Sequence, residues 1–123
     1  MLFRSQAPLP LGMESGAIAD QQISASSQFD ANHASSQGRL RFKKTNTKRG
    51  GWSSRTVDTN QWLQIDLGNH QTRVTRVATQ GRNSNLYYQW VTKYKLQYGD
   101  DGSTFHYYSE RGKPKVLLFI LKQ

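Results

Sequence analysis

The sequence predicts an all-β fold, an antiparallel β-sandwich or barrel, in a single domain of 123 residues. Several short segments alternate polar and apolar residues with a period of two, which is typical of strands with one buried face. Turn-forming residues separate these segments about every ten residues, as they do in sandwiches and barrels. The three Trp, six Tyr and five Phe favour strands. No long stretch has the periodicity of an amphipathic helix.

Two strands are predicted in the first half of the chain. Residues 22–27, with the sequence QISASS, are typical of a short strand. Residues 62–67 alternate strictly, so that Leu63, Ile65 and Leu67 share one face and the Trp, Gln and Asp side chains share the other. The Gly-Asn pair that follows ends this second strand.

Three more elements are predicted in the second half. Residues 74–80 are rich in Val and Thr and form the next strand. Residues 90–98 alternate again, with aromatic and apolar side chains on one face and two lysines on the other. Glycines and aspartates at residues 99–102 predict a tight turn, which pairs this strand with residues 105–108 in a hairpin.

The charge balance indicates an anionic partner. The chain has 17 Lys and Arg against 8 Asp and Glu, a formal net charge of +9. Solubility alone is the other explanation of this excess. The chain has no Cys, which excludes disulfides, Cys-ligated zinc and thiol nucleophiles. Its first residues lack the apolar core of a signal peptide, and no apolar run has the length of a membrane span.

The residue pattern gives no support to catalysis. The eight acidic residues are scattered, and Asp100 and Asp101 have a structural explanation in their turn. His33, His70 and His106 are far apart in polar contexts, and no metalloprotease, serine hydrolase or phosphate-binding motif occurs. We therefore expect a non-enzymatic domain with no catalytic residues and no metal site.

An ordered series of motifs runs through the chain. Its members are PLGMESG at residues 10–16, QISASS at 22–27, WLQIDLG at 62–68, VTRVATQG at 74–81, VTKY at 91–94 and YGDDG at 98–102. In this order they resemble the discoidin domain, also called the coagulation factor V/VIII type C domain. The resemblance implies a β-sandwich or distorted jelly-roll barrel of the galactose-binding-domain-like type.

The chain departs from this family pattern at both ends. A Cys that usually precedes the PLGM motif, and bonds to one at the domain end, is replaced here by Ala-Pro-Leu. A late strand ending in Arg-Tyr-Ile-Arg-Ile and a closing strand are missing. We expect an extended segment at residues 1–8, a C-terminally truncated discoidin-like domain at 9–112 and an atypical apolar tail at 113–123. The tail would either fill the gap left by the missing strands or favour aggregation.

The resemblance implies a binding or adhesion module in an extracellular or cell-surface setting. Ligands of the family, which include phosphatidylserine membranes, glycans and proteins, are met by loops at one end of the sandwich. The matching loops are loop one (residues 28–36), loop two (39–48) and loop three (82–88). The candidate contact residues are Phe29, Asn32 and His33 in loop one, Arg41, Phe42, Lys43 and Lys44 in loop two, and Arg82, Asn85, Leu86 and Tyr87 in loop three.

The residues of loop two favour anionic phospholipid as the ligand. Phe42 among cations has the pattern of an apolar wedge with an electrostatic collar, and the alternative is a solvated loop with Leu40 and Phe42 in the core. Lectin-like binding of glycans, including sulfated ones, stays open, and single-stranded nucleic acid is the least favoured ligand. Some relatives hold structural calcium, but the sequence has no dense ligand cluster, so no cofactor is expected. The oligomeric state stays open.

Overall fold

The computed structural model describes residues 9–69 and 71–118. Its regular elements are three 3₁₀ helices and eight short strands. The helices are η1 (Asp20–Gln22), η2 (Ala31–His33) and η3 (Ser35–Gln37). The strands are β1 (Ile23–Ala25), β2 (Leu63–Ile65), β3 (Lys93–Lys95), β4 (Gln97–Tyr98), β5 (His106–Tyr107), β6 (Ser109–Glu110), β7 (Lys113–Pro114) and β8 (Val116–Leu118). The predicted segment at residues 1–8 and the tail at 119–123 lie outside the described residues.

The predicted all-β class is confirmed by this element content. No α-helix occurs among the described residues, and all strand pairs are antiparallel. The strands form four two-stranded ladders, which do not close into a barrel within the described part of the chain.

The first ladder pairs the two strands predicted in the first half of the chain. In β1 and β2, Ile23 lies opposite Ile65 and Ala25 lies opposite Leu63. Directly opposite side chains share a face, so the aliphatic residues of both strands meet as the alternation predicts. Ile23 is buried, and full burial of such a side chain stabilises a fold by about 1.5–3 kcal/mol.

The second half forms three short arms that meet at one point. Strand β4 pairs with β5, β6 pairs with β7, and β3 pairs with β8. At the junction, Tyr108 donates its N–H to the carbonyl of Leu96 at 2.9 Å and accepts one from Lys115 at 3.0 Å. The strand predicted at residues 90–98 is therefore split at Leu96, because its two parts pair with different partners.

Tight turns join the two strands in two of these arms. In the predicted turn at residues 99–102, Gly102 has φ of 73° and Asp101 accepts backbone N–H groups from Ser103 and Thr104. These hydrogen bonds, that of Thr104 first, hold the pKa of Asp101 below its ordinary value of 3.8. Between β6 and β7 the two turn residues, Arg111 and Gly112, both have positive φ, as in a type I′ hairpin.

The tail is partly used in this arrangement. Val116–Leu118 of the predicted apolar tail forms strand β8, in which Val116 pairs with Lys95 and Leu117 pairs with Tyr94. Lys113–Pro114 forms the adjoining strand β7. The first six residues of the predicted tail therefore supply two of the strands in the second half.

The strand predicted at residues 74–80 was wrong. These residues pair with no other segment in the described chain, and Val74 and Val77 are about half exposed. Alternation predicts a strand only where a neighbouring strand supplies hydrogen bonds to its backbone. The segment is instead held at its end, where the Thr79 hydroxyl meets the Tyr94 hydroxyl at 3.2 Å and Gln80 accepts the N–H of Arg41 at 2.7 Å.

Two glutamine side chains, of which Gln37 is buried, join elements that are far apart in the sequence. Gln37 at the end of η3 is 1 % exposed, and its Oε1 accepts the N–H of Ala34 at 3.1 Å. Its Nε2 donates to the carbonyls of Asn32 and Arg49, the latter at 2.9 Å. One amide thus links loop one to the backbone that follows loop two.

Gln22 at the end of η1 makes similar side-chain hydrogen bonds to the backbone next to the first ladder. Its Oε1 accepts the N–H of Ala19 at 2.8 Å, and its Nε2 donates to the carbonyl of Asp66 at 2.7 Å. The carbonyl of Gln22 also accepts the N–H of Asp66 at 2.8 Å. The glutamine therefore extends the pairing of β1 and β2 beyond the ends of the strands.

Replacement of Gln37 by Leu should destabilise the domain strongly. The variant keeps a similar volume but leaves the Ala34 N–H and the Arg49 carbonyl without their partner, while the Asn32 carbonyl keeps its hydrogen bond from the Arg49 N–H. Each unsatisfied buried group costs about 1–3 kcal/mol, so we expect the free energy of unfolding to fall by about 2–3 kcal/mol after partial rehydration. Urea denaturation followed by tryptophan fluorescence measures it. Gln28→Leu, at an exposed position, is the control and should change stability by less than about 0.5 kcal/mol. Equal stability of the Q37L variant and the parent would contradict this role.

The network around Glu110 should give the second half a pH-dependent stability. Lys115 and the Tyr108 hydroxyl donate to Glu110, so the pKa of Glu110 lies below its ordinary 4.5. The hydrogen bond between the Tyr108 hydroxyl and Glu110 also raises the pKa of Tyr108 above its ordinary 10.0. The depressed carboxyl contributes stability above pH 4.5 and loses it as pH falls further. The raised phenol contributes below pH 10.0 and loses it as pH rises further.

Glu110→Gln isolates this contribution. We expect the difference in melting temperature between the parent and E110Q to be largest near neutral pH and to shrink below pH 4.5. Circular dichroism melts across the pH range measure it, with Asp100→Asn as a control at an exposed carboxylate outside this network. A difference that does not depend on pH would show that Glu110 acts without its charge.

Candidate functional site

The segment that follows loop two lies beside loop one and is hydrogen-bonded to it along the backbone. Phe29 donates its N–H to Ser53 at 2.8 Å, Ser53 donates to His33 at 3.4 Å, and Arg49 donates to Asn32 at 2.8 Å. The predicted contact residue Asn32 is half-buried, and its carbonyl is used by Arg49 and by Gln37. Loop one and the segment that follows loop two therefore form one unit.

Asn83 joins loop three to this unit. Its N–H donates to the carbonyl of Gly50 at 2.9 Å, and its side-chain amide donates to the carbonyl of Phe42 at 3.1 Å. Gly50 is required at this approach, because a Cβ atom there would overlap the carbonyl of Asn83. The structure thus brings the three predicted loops together at one end of the domain.

Loop one is organised by Asp30. Its Oδ1 accepts the His33 Nδ1–H at 2.6 Å and the Asn32 N–H at 2.8 Å. The hydrogen bond from His33 is the main reason why the pKa of Asp30 lies below its ordinary 3.8. His33 is buried and meets the Phe29 ring edge-on, with centroids 5.4 Å apart. His33 therefore supports the loop from inside, while Phe29 is 63 % exposed.

Loop two divides its cations into paired and unpaired ones. Arg41 forms an ion pair with Glu14 at 2.9 Å, and Arg39, largely buried, pairs with Asp20 at 2.6 Å. Lys43 and Lys44 are exposed and have no carboxylate within ion-pair distance among the described residues. Of the predicted cationic contacts in this loop, Arg41 is thus tied to the scaffold, and the two lysines face solvent unpaired.

The sequence allows Phe42 to be either an exposed apolar wedge or a core residue, and its observed exposure is intermediate between the two. Its side chain is half-buried, and its carbonyl is held by Asn83. Leu40 is also half-buried. The Phe42 side chain is therefore neither fully exposed nor buried in the core, and the more exposed apolar residues of this end lie in loops one and three.

Loop three presents its apolar residues on a short hydrogen-bonded turn. The Ser84 hydroxyl accepts the N–H groups of Leu86 and Tyr87, both at 3.1 Å. Leu86 is 78 % exposed, and Asn85 and Tyr87 are exposed as well. Each of these three predicted residues is therefore accessible to a ligand.

Arg82 holds one of these aromatic rings in place. Its guanidinium lies over the ring of Tyr87, 4.7 Å from the centroid, and its Nη1 donates to Gln89 at 2.9 Å. A cation over an aromatic face is an attractive arrangement. Arg82 is half-buried, in contrast to the exposed lysines of loop two.

Two further residues belong to this end but were not among the predicted contacts. Tyr88 is more exposed than its neighbour Tyr87, and Lys48 is exposed without a carboxylate partner among the described residues. For Tyr88, the signal in the sequence was the pair of adjacent tyrosines in a polar loop. For Lys48, the signal was the excess of cations in loop two, which has no acidic residue.

The chemistry of this end suits adsorption to an anionic surface. It combines exposed apolar side chains with unpaired lysines, and the carboxylates that touch it are engaged in structural contacts. In the part of the chain that the structure describes, no three His, Asp or Glu side chains cluster in a way that would hold a metal ion. No helix there has the length and apolar character that crossing a bilayer requires.

Comparison with known proteins agrees with this architecture. The model of the F5/8 type C domain matches residues 22–117. Rat discoidin, CUB and LCCL domain-containing protein 2 is 36% identical over 112 residues, which are 89% of this chain and 14% of that protein. Bovine lactadherin is 34% identical over 113 residues, 89% of this chain and 26% of the relative.

Coagulation factor V of Pseudonaja textilis is 37% identical over 100 residues, 81% of this chain and 7% of that protein. The chain thus spans about a quarter or less of the length of these relatives. The matched region includes β1, β2, all three loops and the arms of the second half. The chain belongs to the F5/8 type C, or discoidin, domain family.

Proposed function

We propose that this domain is a non-catalytic, extracellular binding module that docks on anionic phospholipid membranes with its three-loop end. The single observation that carries the proposal is the joining of the loops into one end, where exposed apolar side chains lie with unpaired lysines. Membership of the discoidin family supports the extracellular setting and the use of loops as the contact surface.

The apolar contribution comes from loops one and three. Phe29 and Leu86 are both largely exposed, so water covers their side chains in the free domain. Transfer of a large aliphatic or aromatic side chain out of water contributes about 1.5–3 kcal/mol. Association costs about 4–15 kcal/mol, so these two side chains alone give at most weak attachment.

The electrostatic contribution comes from loop two. Lys43, Lys44 and Lys48 have no carboxylate partner among the described residues, so their charge is available to an external anion. Each cation near an anionic bilayer contributes about 1 kcal/mol. The three lysines alone contribute about 3 kcal/mol, which is below the lower estimate of the association cost, and the two apolar side chains contribute about 3–6 kcal/mol. The two groups together exceed that lower estimate. Binding should therefore require both the apolar residues and the charge.

Leu86→Ala should weaken attachment to vesicles of phosphatidylcholine with phosphatidylserine. Loss of about three buried carbons removes about 2 kcal/mol, which corresponds to roughly 30-fold in Kd. Co-sedimentation with vesicles measures this change. Leu9→Ala is a matched control, because Leu9 lies outside the loops and is 82 % exposed, close to Leu86. Equal loss in both variants would contradict insertion of loop three.

The double variant Lys43→Gln/Lys44→Gln should weaken attachment by a different route. Loss of two cations removes about 2 kcal/mol, again roughly 30-fold, and should reduce the dependence of binding on salt. The control is Lys93→Gln/Lys113→Gln, two exposed lysines outside the loops, which removes the same charge from the domain. If the two double variants bind alike, net charge rather than loop two would drive attachment.

Two outcomes would overturn the lipid proposal itself. The first is equal binding of the parent domain to vesicles of phosphatidylcholine alone and to vesicles with phosphatidylserine. The second is retention on heparin that depends on Lys43 and Lys44 but survives the loss of Phe29 and Leu86, together with absent vesicle binding. That second result would favour the glycan-binding alternative, because a sulfated glycan needs the cations and not the apolar insertion.

A further inference from the structure

Arg82 has an environment that a structural role does not explain. It is half-buried at the base of loop three, and no carboxylate of the described residues lies within ion-pair distance of its guanidinium. Arg39 and Arg41, which also lie at this end, each pair with an acidic residue. Arg82 is therefore a partly desolvated cation without a counter-ion, which is an unfavourable state for a charged group.

The donors of Arg82 are only partly used. Nη1 donates to the side-chain oxygen of Gln89 at 2.9 Å, and the guanidinium face is covered by the ring of Tyr87. Nε is buried and has no acceptor among the described residues. A buried donor without an acceptor calls for a specific explanation, because native structures satisfy nearly all such groups. The side chain is thus held in a fixed orientation while its buried Nε donor has no acceptor among the described residues.

We infer that Arg82 anchors a phosphate oxyanion that enters between loops two and three. A guanidinium presents a planar fork of donors that matches phosphate oxygens, and the edge formed by Nε and Nη2 is the one that Gln89 leaves unused. The oxyanion would supply both the missing counter-ion and the missing acceptor.

Neighbouring groups add to the same site. Asn83, the next residue, is bonded to the carbonyl of Phe42, so the lysines that follow Phe42 are joined to the base of loop three. Lys43 and Lys44 would supply further positive charge for an anion that carries more than one negative charge. This inference rests on the proposed function, since it names the lipid headgroup chemistry of that site, but a free phosphate has the same chemistry.

Because Nε is covered, loop three has to shift when an oxyanion reaches it. The Tyr87 ring, which lies over the guanidinium, should then change its environment. Arg82 thus links recognition of the oxyanion to the position of an exposed aromatic residue. An exposed lysine, which acts as a mobile point charge, has no such connection.

The first arm of the test uses the full chain and inorganic phosphate. The Nε–H resonance of Arg82, identified by its loss in Arg82→Lys, is followed by nitrogen-15 NMR at constant ionic strength. We expect a saturable shift with phosphate, little shift with chloride, and a smaller shift with acetate. Arg76→Lys, at an exposed arginine, should leave the titration unchanged. The absence of a saturable phosphate shift would overturn the inference, and an equal response to acetate would replace phosphate by a carboxylate ligand.

The second arm separates the two sources of phosphate. Arg82→Lys keeps the charge but loses the fork, so it should weaken binding to phosphatidylserine vesicles roughly tenfold, which is the size of a charge-assisted hydrogen bond, while the salt dependence persists. This result would identify the lipid headgroup as the source. A phosphate shift with unchanged vesicle binding would identify a free phosphate ligand and support the oxyanion site.

Two controls complete the test: one checks that the variants fold, and the other covers the case in which the parent domain does not bind vesicles. Arg82→Gln, which removes the charge, is compared with Arg82→Lys by circular dichroism, and similar melts assign the binding changes to the site. If the parent does not bind vesicles at all, the lipid proposal fails, and the phosphate titration by itself decides on Arg82.

Discussion

The buried amide of Gln37 is the interaction on which the binding end depends. It is almost fully buried; its Oε1 and Nε2 bind the backbone of loop one, and its Nε2 also binds the backbone just beyond loop two. This backbone also carries Gly50, to which loop three is bonded through Asn83. The mutual position of all three loops therefore follows from one glutamine side chain and the short segment that it holds.

Polar cross-links of this type replace a large apolar core in the described domain. Only two apolar residues, Ile18 and Ile23, are buried there, while many aromatic and aliphatic side chains of the second half are about half exposed. Two-stranded ladders are marginally stable without a second layer against their faces. The glutamines at the ends of η1 and η3, together with the ion pair of Arg39 and Asp20, hold the elements where packing contributes little.

The cations of the domain serve two physical purposes. Arg39 and Arg41 form ion pairs with carboxylates of the segment before β1, and Lys115 forms an ion pair with Glu110. The lysines of loop two remain without carboxylate partners among the described residues, and Arg82 has an aromatic ring in place of a counter-ion. The formal charge of +9 therefore includes cations that are already paired, while the lysines of loop two lie unpaired at the same end as the exposed apolar side chains.

The sequence by itself determined the all-β class, the positions of β1 and β2 and the hairpin at residues 97–107, because side-chain alternation and turn residues act locally. It also determined which loops carry aromatic residues and cations. Only the tertiary structure decided that residues 74–80 lack a strand partner, that Leu96 divides the strand at 90–98, and that Gln37 is buried. It likewise separated Phe29 and Leu86, which face solvent, from His33, which supports the loop, and from Arg41, which is bound to Glu14. Burial and pairing of these residues depend on partners that are distant in the sequence, and a local residue pattern does not identify such partners.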